Sequence, residues 1–253
     1  PERWGTYRRY EMGQARQQAN FYMGPSDGKQ GFNMPCGKTE IWSLAIEAYG
    51  TQGTYGGYQV TMKDCLPVAI EPVKSKRQAP QYYTEDNSFY MTTGRRIPVY
   101  FHSEHRQLPW CRELWPVPRL EINPEDAARL DIKQGDWLWI ENENGKIREI
   151  ADLYYGIDVG VVNAEHTWWY PEVGDCGRGW ELSAVNQLVW RNDQDPICGS
   201  STLRGYPVKI YKATADNSPF GDPVPCDANG VEIIHSCNDP RLKEWLPDYE
   251  GRE

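Results

Sequence analysis

The chain has 253 residues, a formal net charge of −9 at pH 7 and 39% hydrophobic residues, and its mean hydropathy is −0.74. An acidic chain has little general affinity for polyanions, which disfavours a DNA- or RNA-binding protein, and no apolar run approaches the roughly 18 to 20 residues of a membrane helix. Because the hydrophobic content is low for an independent globule of this length and the chain begins at Pro1 without a signal peptide, we expect a soluble fragment of a larger protein.

The first zone, residues 1–87, is rich in glycine and proline, which predicts an irregular N-terminal segment. One helix is indicated over Thr39–Tyr49, where apolar side chains recur on one face and Gly50 ends the run. A stretch rich in lysine, glutamine and proline, Lys74–Gln81, predicts a linker into the next zone.

The second zone, residues 88–215, shows short strand patterns separated by turn signals. The apolar run Trp137–Ile140 fits a strand buried on both faces, and Asn144-Gly145 predicts the hairpin that joins it to the next strand. Strands are indicated at Arg119–Ile122, Trp137–Ile140, Lys146–Leu153 and Val161–Asn163. This pattern predicts a mainly β fold with short helices, in the form of a small, mixed β-barrel.

A compact helix is indicated inside this zone, at Pro124–Leu130. Asn123 can cap the free backbone amides, Pro124 suits the first helical position, and Glu125 and Asp126 place negative charge at the positive end of the helix dipole. We expect this helix to pack over one opening of the barrel.

The last zone, residues 216–253, is mainly acidic, which predicts an extended C-terminal tail that Trp245 and Leu246 could pin.

A cluster of basic and polar residues stands out in the acidic chain. In Thr93-Gly94-Arg95-Arg96, the glycine lets backbone amides approach an anion, and the guanidinium groups can grip phosphate oxygens in pairs. The segment His102-Ser103-Glu104-His105-Arg106 adds hydroxyl and imidazole donors that suit a heteroaromatic ligand. Together they predict a site for a specific small anion such as phosphate.

Other interpretations remain open for these residues. The arginines can be ordinary surface residues after a turn, and the histidines can belong to a polar loop. His102 and His105 could bind a metal with Cys111 or Glu104. The seven cysteines contain no C-x-x-C pair, which disfavours an iron–sulfur or zinc knuckle. The spacing favours reduced, mostly buried thiols, with disulfides between distant cysteines as the alternative.

An aromatic and glycine-rich segment follows farther along the chain. Trp168 and Trp169 could stack on a planar ring, although core packing is the commoner role of tryptophan. The amides of Asn186 and Gln187 could bind the edge of such a ring or satisfy a nearby backbone. No Ser/His/Asp order, Walker loop or G-x-G-x-x-G after a strand is present, which disfavours a conventional hydrolase, kinase or Rossmann enzyme.

A series of short motifs runs through the chain in a fixed order. They are Gly37-Lys38-Thr39-Glu40, Leu66-Pro67 with Glu71-Pro72, Thr93-Gly94-Arg95, His102-Ser103, Ile122-Asn123-Pro124-Glu125, Gly135-Asp136, Asn144-Gly145, Trp168-Trp169, Asn186-Gln187-Leu188 and Arg204-Gly205-Tyr206. In that order they resemble the C-terminal region of the dimethyl sulfoxide reductase superfamily of molybdopterin oxidoreductases, and the resemblance covers most of the chain.

The resemblance implies a double-psi β-barrel at residues 88–215 that binds bis(molybdopterin guanine dinucleotide) with molybdenum or tungsten. Residues 1–87 would be a segment of the preceding catalytic or substrate domain with its linker, and residues 216–253 an acidic tail. The residues that would line the pterin and pyrophosphate are Thr93, Gly94, Arg95, Arg96, His102, Ser103, His105, Arg106, Trp168, Asn186 and Arg204. The chain is expected to supply no catalytic residue and no metal ligand, because the family's molybdenum ligand and iron–sulfur cysteines lie in earlier domains.

The implied function is that of the cofactor-binding region of an oxidoreductase, inactive by itself. Its partners would be the remaining N-terminal domains, which can hold an iron–sulfur cluster, and an iron–sulfur electron-transfer subunit, in a cytoplasmic enzyme or one exported in folded form. The alternative is a non-catalytic protein-binding or assembly module with an aromatic-rich barrel. In that module Arg95, Arg96 and Arg106 would point in different directions, whereas a cofactor site would bring them to one groove.

Overall fold

A computed structural model gives the structure of the chain. It describes residues 41–50, 54–55, 58–67, 74–94, 99–173, 177–190, 194–195, 197, 199–201, 205–218, 231–234 and 236–245. Two compact units are present, of which one combines Pro1–Ile70 with Pro196–Gly199 and the other combines Glu71–Asp195 with Ser200–Glu253. Within the described ranges, no helix has the length and apolar character needed to cross a membrane.

Among its described residues, the first unit contains a short α-helix, a small hairpin and a 3-10 helix. The elements are helix α1 (Leu44–Gly50), strands β1 (Thr54–Tyr55) and β2 (Tyr58–Gln59), which pair antiparallel, and a 3-10 helix at Met62–Cys65. The helix predicted over Thr39–Tyr49 is therefore present from Leu44, while Thr39 and Glu40 lie outside the described residues.

The second unit is built on a closed barrel of six strands. The strands are β3 (Ser88–Gly94), β4 (Arg119–Ile122), β5 (Trp137–Asn142), β6 (Gly145–Leu153), β7 (Val161–Glu165) and β8 (Tyr206–Lys212). Around the barrel the order is β3-β7-β4-β6-β5-β8, and β8 pairs again with β3. Closure removes the unpaired strand edges that an open sheet would expose. This barrel confirms the predicted mainly β fold class.

The strand pairing has an internal symmetry. β3 pairs with β7 and β4 pairs with β6 in parallel, whereas the remaining ladders are antiparallel. Exchanging the first three barrel strands with the last three leaves every pairing unchanged. Each ladder also joins a strand of the first half to a strand of the second half. This interleaving is the double-psi arrangement that the resemblance implied.

The interior of the barrel is mainly aliphatic. Successive residues of a strand point to opposite faces, and in β5 the side chains of Leu138 and Ile140 are fully buried in the interior cluster. Trp137 and Trp139 of the same strand are buried in a second cluster on the outer face. The prediction of a strand buried on both faces is therefore confirmed.

The outer cluster contains buried arginines as well as aromatic rings. We call it the arginine–aromatic layer, and it consists of Tyr100, Arg106, Arg112, Trp137, Trp139, Arg148, Trp168 and Tyr170. Each of the three arginines is 1% exposed or less. Charged side chains are seldom buried this fully unless they are paired, so the layer depends on specific partners.

In the described part of the second unit, the barrel is accompanied by the short α-helices α2 (Pro109–Leu114) and α3 (Pro124–Arg129). Asn123 caps α3 as predicted, because its Oδ1 accepts a hydrogen bond from the backbone amide of Glu125 at 2.9 Å. Ala127 of α3 is buried in the interior cluster. The predicted hairpin is also present, since β5 and β6 pair with Asn142 opposite Gly145.

Part of the C-terminal zone packs within the second unit. Ile234 and Leu242 are fully buried, and Pro240–Trp245 forms a 3-10 helix. The ring of Trp245 packs edge-on against Trp169, with the ring centroids 5.7 Å apart. The predicted pinning by Trp245 is therefore present, while Leu246 lies outside the described residues.

Candidate anion site at the edge between β3 and β7

The candidate site lies where two parallel strands end side by side. β3 and β7 are neighbours, and their register places Thr93 opposite Ala164 and Gly94 opposite Glu165. Because both strands run in the same direction, the loops that follow them leave the barrel at the same edge. We call the ends of these two strands, together with residues 99–106 and 166–173, the β3–β7 edge.

Two histidines meet at this edge, one from each loop. Nδ1 of His102 lies 3.3 Å from Nε2 of His166, and the two ring centroids are 5.3 Å apart at an interplanar angle of 80°. His102 is exposed and His166 is partly buried. The pair therefore places imidazole groups, which can donate hydrogen bonds to an anion, beside the ends of both strands.

The backbone around this pair adopts left-handed conformations without glycine. The φ angle is 49° at His102, 74° at His105 and 60° at Thr167. Non-glycine residues are uncommon in this region, and such conformations concentrate at functional sites. They persist only where neighbouring contacts hold them in place.

Arg106 supplies many of those contacts from a position in which it is 1% exposed. Its Nη1 donates to the carbonyls of His102 and of Glu104, the latter at 2.9 Å, and its Nη2 lies 3.4 Å from the carbonyl of His166. Nη2 also lies 3.7 Å from Oε1 of Glu165. Burial lowers the pKa of the guanidinium, and the charge of Glu165 opposes that shift. One side chain therefore fixes both loops.

The arginine–aromatic layer supports Arg106 from behind. The guanidinium carbon lies 4.3 Å from the ring centroid of Tyr100 and 5.0 Å from that of Trp168. Trp168 is 1% exposed and also contacts Arg112, which makes two hydrogen bonds of 2.8 and 2.9 Å to the carboxylate of Glu172. Burial acts to lower the pKa of Arg112, but the hydrogen bonds and charge of Glu172 outweigh it and raise the pKa.

The outward face of the edge is open and polar. A Cβ atom added to Gly94 would meet no atom of the described residues within 4 Å, and Ser103 is exposed. Nε1 of Trp169 donates to the carbonyl of Ser103 at 2.6 Å, which holds the loop in place. The edge thus combines open space with imidazole and hydroxyl groups, a donor set that suits phosphate oxygens.

The structure brings most of the described predicted site residues together. Those at the β3–β7 edge are Thr93, Gly94, His102, Ser103, His105, Arg106 and Trp168. Asn186 is instead exposed on a 3-10 helix, Val185–Leu188, whose Leu188 carbonyl accepts a hydrogen bond of 2.8 Å from the side chain of Asn142 in the β5–β6 hairpin. Arg95, Arg96 and Arg204 lie outside the described residues.

The geometry gives little support to metal binding by His102 and His105. His102 faces His166, and Nε2 of His105 lies 3.8 Å from the carboxylate of Glu104. Cys111 is 5% exposed, and burial raises the pKa of its thiol, which disfavours the thiolate that a metal requires. In the described part of the chain, no three His, Cys, Asp or Glu side chains gather as metal ligands would.

Three residues of the edge, Glu165, His166 and Glu172, were not named as site residues from the sequence. Glu165 is 3% exposed, and its Oε2 accepts a hydrogen bond of 2.8 Å from Nε1 of Trp115. His166 and Glu172 also belong to this group. Only His166 carried a sequence signal, because it opens the aromatic segment after a predicted strand, but its pairing with His102 depends on the parallel register of β3 and β7.

The barrel also matches a known family. Residues 89–207 fit the family model described as molydopterin dinucleotide binding domain. The matched residues begin in β3 and end in β8, so they contain the loops of the β3–β7 edge.

Relatives with this sequence pattern are much longer than the chain. A dopamine dehydroxylase from Eggerthella lenta is 54% identical over 261 residues, which cover 100% of this chain and 25% of that protein. Acetylene hydratase from Syntrophotalea acetylenica is 25% identical over 198 residues, or 76% of this chain and 25% of that protein. A solved structure of acetylene hydratase from Pelobacter acetylenicus superposes on 76% of the chain with a TM-score of 0.60 at 24% identity, which supports the fold. The chain spans about a quarter of the length of these relatives.

Proposed function

Residues 89–207 belong to the molydopterin dinucleotide binding domain family, and on that basis we propose that the chain is the cofactor-binding C-terminal region of a molybdenum or tungsten oxidoreductase. The observation that carries the proposal is the convergence of the loops after β3 and β7 at one open edge of the matched barrel, with His102 and Ser103 exposed there. The proposed cofactor is bis(molybdopterin guanine dinucleotide).

The residues of the edge fit such a cofactor by their chemistry. Open space beside Gly94 lets a ligand approach the backbone, and imidazole and hydroxyl groups can donate to phosphate oxygens and to a heteroaromatic edge. The residues proposed to contact the cofactor are Thr93, Gly94, Arg95, Arg96, His102, Ser103 and His105, with Asn186 and Arg204 from separate segments.

Two other predicted residues would act from behind the ligand. The guanidinium of Arg106 is bonded to backbone carbonyls of both loops, and the ring of Trp168 lies against it. Their burial supports a role in fixing the loops and in setting the electrostatic field of the site rather than in touching the pterin.

When bound, the cofactor supplies two-electron redox chemistry. The part of this chain is to bind it, to orient it and to balance its phosphate charge with donors from the β3–β7 edge. Because the chain spans about a quarter of its relatives, we propose that the metal ligand and any iron–sulfur cluster lie in the remaining N-terminal domains. An iron–sulfur electron-transfer subunit is the proposed redox partner.

The identity of 54% to a dopamine dehydroxylase supports a substrate class for the full-length enzyme. We place it among enzymes that remove a hydroxyl group from a catechol, a reduction that consumes two electrons and two protons and releases water. Anaerobic assay of the full-length enzyme with a reduced viologen dye and catechols tests this class, because dye oxidation should depend on the catechol. Dye oxidation that is indifferent to catechols would remove the substrate class while leaving the cofactor role intact.

Cofactor content is the direct test of the proposed function. The full-length protein would be produced anaerobically in a host that makes molybdopterin dinucleotides, beside the Arg95→Ala/Arg96→Ala double variant and a Lys133→Ala control, since Lys133 is exposed on the turn before β5. We expect molybdenum or tungsten with about two pterins per metal in the parent and the control, and less of both in the double variant. A parent without metal and pterin would leave the protein-binding module as the better explanation.

A further inference from the structure

We propose that His166 joins His102 to form a two-imidazole phosphate-binding pair at the β3–β7 edge, that the pair takes up a proton when phosphate binds, and that Arg106 is the positioning residue for both. The inference rests on the proposed function, since the phosphate is that of the bound dinucleotide. It adds a ligand-contacting residue and a pH dependence to that function.

The distance between the two rings determines how they share hydrogen before an anion binds. The facing nitrogens, Nδ1 of His102 and Nε2 of His166, are 3.3 Å apart, which leaves room for a single hydrogen between them. One ring therefore donates and the other accepts, and the pair can hold at most one proton on this line. A second proton would set two N–H groups against each other, so the rings would have to turn apart.

Turning apart presents two donors to the open side of the edge. His102 is exposed, so its ring can turn toward solvent. Two neutral rings could also present two N–H groups by a change of tautomer. A phosphate oxygen binds a charged donor more strongly than a neutral one, so it favours the pair that has taken up a proton. Phosphate binding and proton uptake are therefore linked.

The charged side chains described near the pair have partners of their own. On the loop of His102, Glu104 lies against His105 at 3.8 Å. From the end of β7, Glu165 lies 3.7 Å from the guanidinium of Arg106, so these two buried charges largely offset each other. Behind Trp168, Arg112 is neutralised in the same way by Glu172. Phe101, whose ring centroid lies 4.4 Å from that of His102, contributes an uncharged ring.

Arg106 gives the pair a fixed backbone. It bonds the carbonyl of His102 on one loop and contacts the carbonyl of His166 on the other. His102, His105 and Thr167 account for three of the five non-glycine residues with positive φ among those described. A strained backbone on both sides of the pair, held by one guanidinium, is the arrangement expected when two loops must keep one geometry.

The test uses the full-length, cofactor-loaded protein with His102→Asn, His166→Asn and Arg106→Lys variants. Lys133→Ala is the control, because Lys133 is exposed on the turn before β5 and is not one of the residues proposed to contact the cofactor. Retained molybdenum and released guanine nucleotide would be measured after buffer exchange at a series of values between about pH 6 and pH 8, the range in which histidine ordinarily titrates. These readouts do not depend on activity.

We expect cofactor loss from the parent to slow as the pH falls, by up to about tenfold per pH unit for one linked proton. The Lys133→Ala control should keep this slope. Each asparagine variant should lose it, and Arg106→Lys should reduce it, because lysine cannot hold both carbonyls at once. A merely structural role would change retention equally at every pH.

Either of two results would overturn the proposal. One is a His166→Asn protein that retains the parent slope, and the other is a loaded parent whose retention does not vary with pH. If His166→Asn fails to accumulate, His166→Gln, which keeps an amide near the ring position, provides the same comparison. A parent without cofactor would instead refute the proposed function, and with it this inference.

Discussion

The interior of the barrel and the arginine–aromatic layer are separated by a single strand, yet different interactions hold them. On the inner face of β5, Leu138 and Ile140 are buried among other aliphatic side chains, and removal of apolar area from water stabilises them. On the outer face, Trp137 and Trp139 contact the guanidinium of Arg148, whose carbon lies 5.2 and 5.3 Å from the two ring centroids. A buried charge of this kind depends on its partners.

The two regions therefore have different roles in the fold. Aliphatic packing tolerates substitutions that conserve volume. It therefore stabilises the barrel without fixing the positions of the loop atoms. The hydrogen bonds of Arg106 are directional and reach backbone atoms of both loops, so the layer sets where the β3–β7 edge lies. The barrel therefore provides the frame, and the layer provides the geometry of the site.

The largest expected effect comes from breaking the buried pair of Arg112 and Glu172. Glu172→Leu should lower the free energy of unfolding by about 3–5 kcal/mol, because it leaves an uncompensated charge where the arginine side chain is 0% exposed. The double variant Arg112→Leu/Glu172→Leu should cost much less than the sum of the single changes. Urea unfolding of the four proteins measures the coupling, and additive effects would show that the pair is not what stabilises this part of the layer.

A smaller effect is expected from Arg106→Lys. This change keeps the positive charge but replaces the planar guanidinium group, with its several N–H donors, by a single ammonium group. We expect a loss of about 1.5–3 kcal/mol in the free energy of unfolding, the usual contribution of hydrogen bonds to a charged group. The matched interior change is Leu120→Met, which conserves volume at a fully buried position and should cost less than about 1.5 kcal/mol. If the two changes had equal effects, the contrast between directional and non-directional packing would be wrong.

The smallest effect is a pH dependence confined to the C-terminal segment. Hydrogen bonds from Arg241 lower the pKa of Asp239, although partial burial opposes the shift. A carboxyl group whose pKa is lowered on folding stabilises the fold above its unfolded pKa of about 3.9 and loses that contribution as the pH falls through the lowered value. As the pH falls from about 5 to about 2.5, the amide protection factors of residues 239–245 should therefore fall before those of β5. Simultaneous loss of protection would show that Asp239 does not control this segment.

Much of the barrel could be predicted because its signals are local. Asn123 and Pro124 mark the start of α3 within two positions, and Asn144-Gly145 marks the hairpin between β5 and β6. The continuous apolar run Trp137–Ile140 in β5 predicted a strand buried on both faces. Each of these features depends on residues a few positions apart.

The site could be predicted only in part, because its contacts join distant residues. The basic and polar character of the loop after β3 was visible in the sequence. Arg112 and Glu172 are 60 positions apart, and His102 and His166 are 64 positions apart. These pairs exist because β3 and β7 run in parallel as neighbours, and no short-range pattern determines that register. The burial of Arg106 was likewise invisible, since a guanidinium in a polar loop is usually exposed.

The interleaved pairing of the barrel has a consequence for how the chain is synthesised. Every ladder joins one of the strands β3 to β5, within residues 88–142, to one of the strands β6 to β8, within residues 145–212. The first three strands therefore leave the ribosome with no partner among themselves, and the β5–β6 hairpin is the first ladder that can close. The β4–β6 ladder can form once β6 has emerged, but the other four ladders must wait for β7 or β8, so the barrel cannot fold progressively from its N-terminal half. A chain cut between β5 and β6 should give two halves that form this sheet only when mixed.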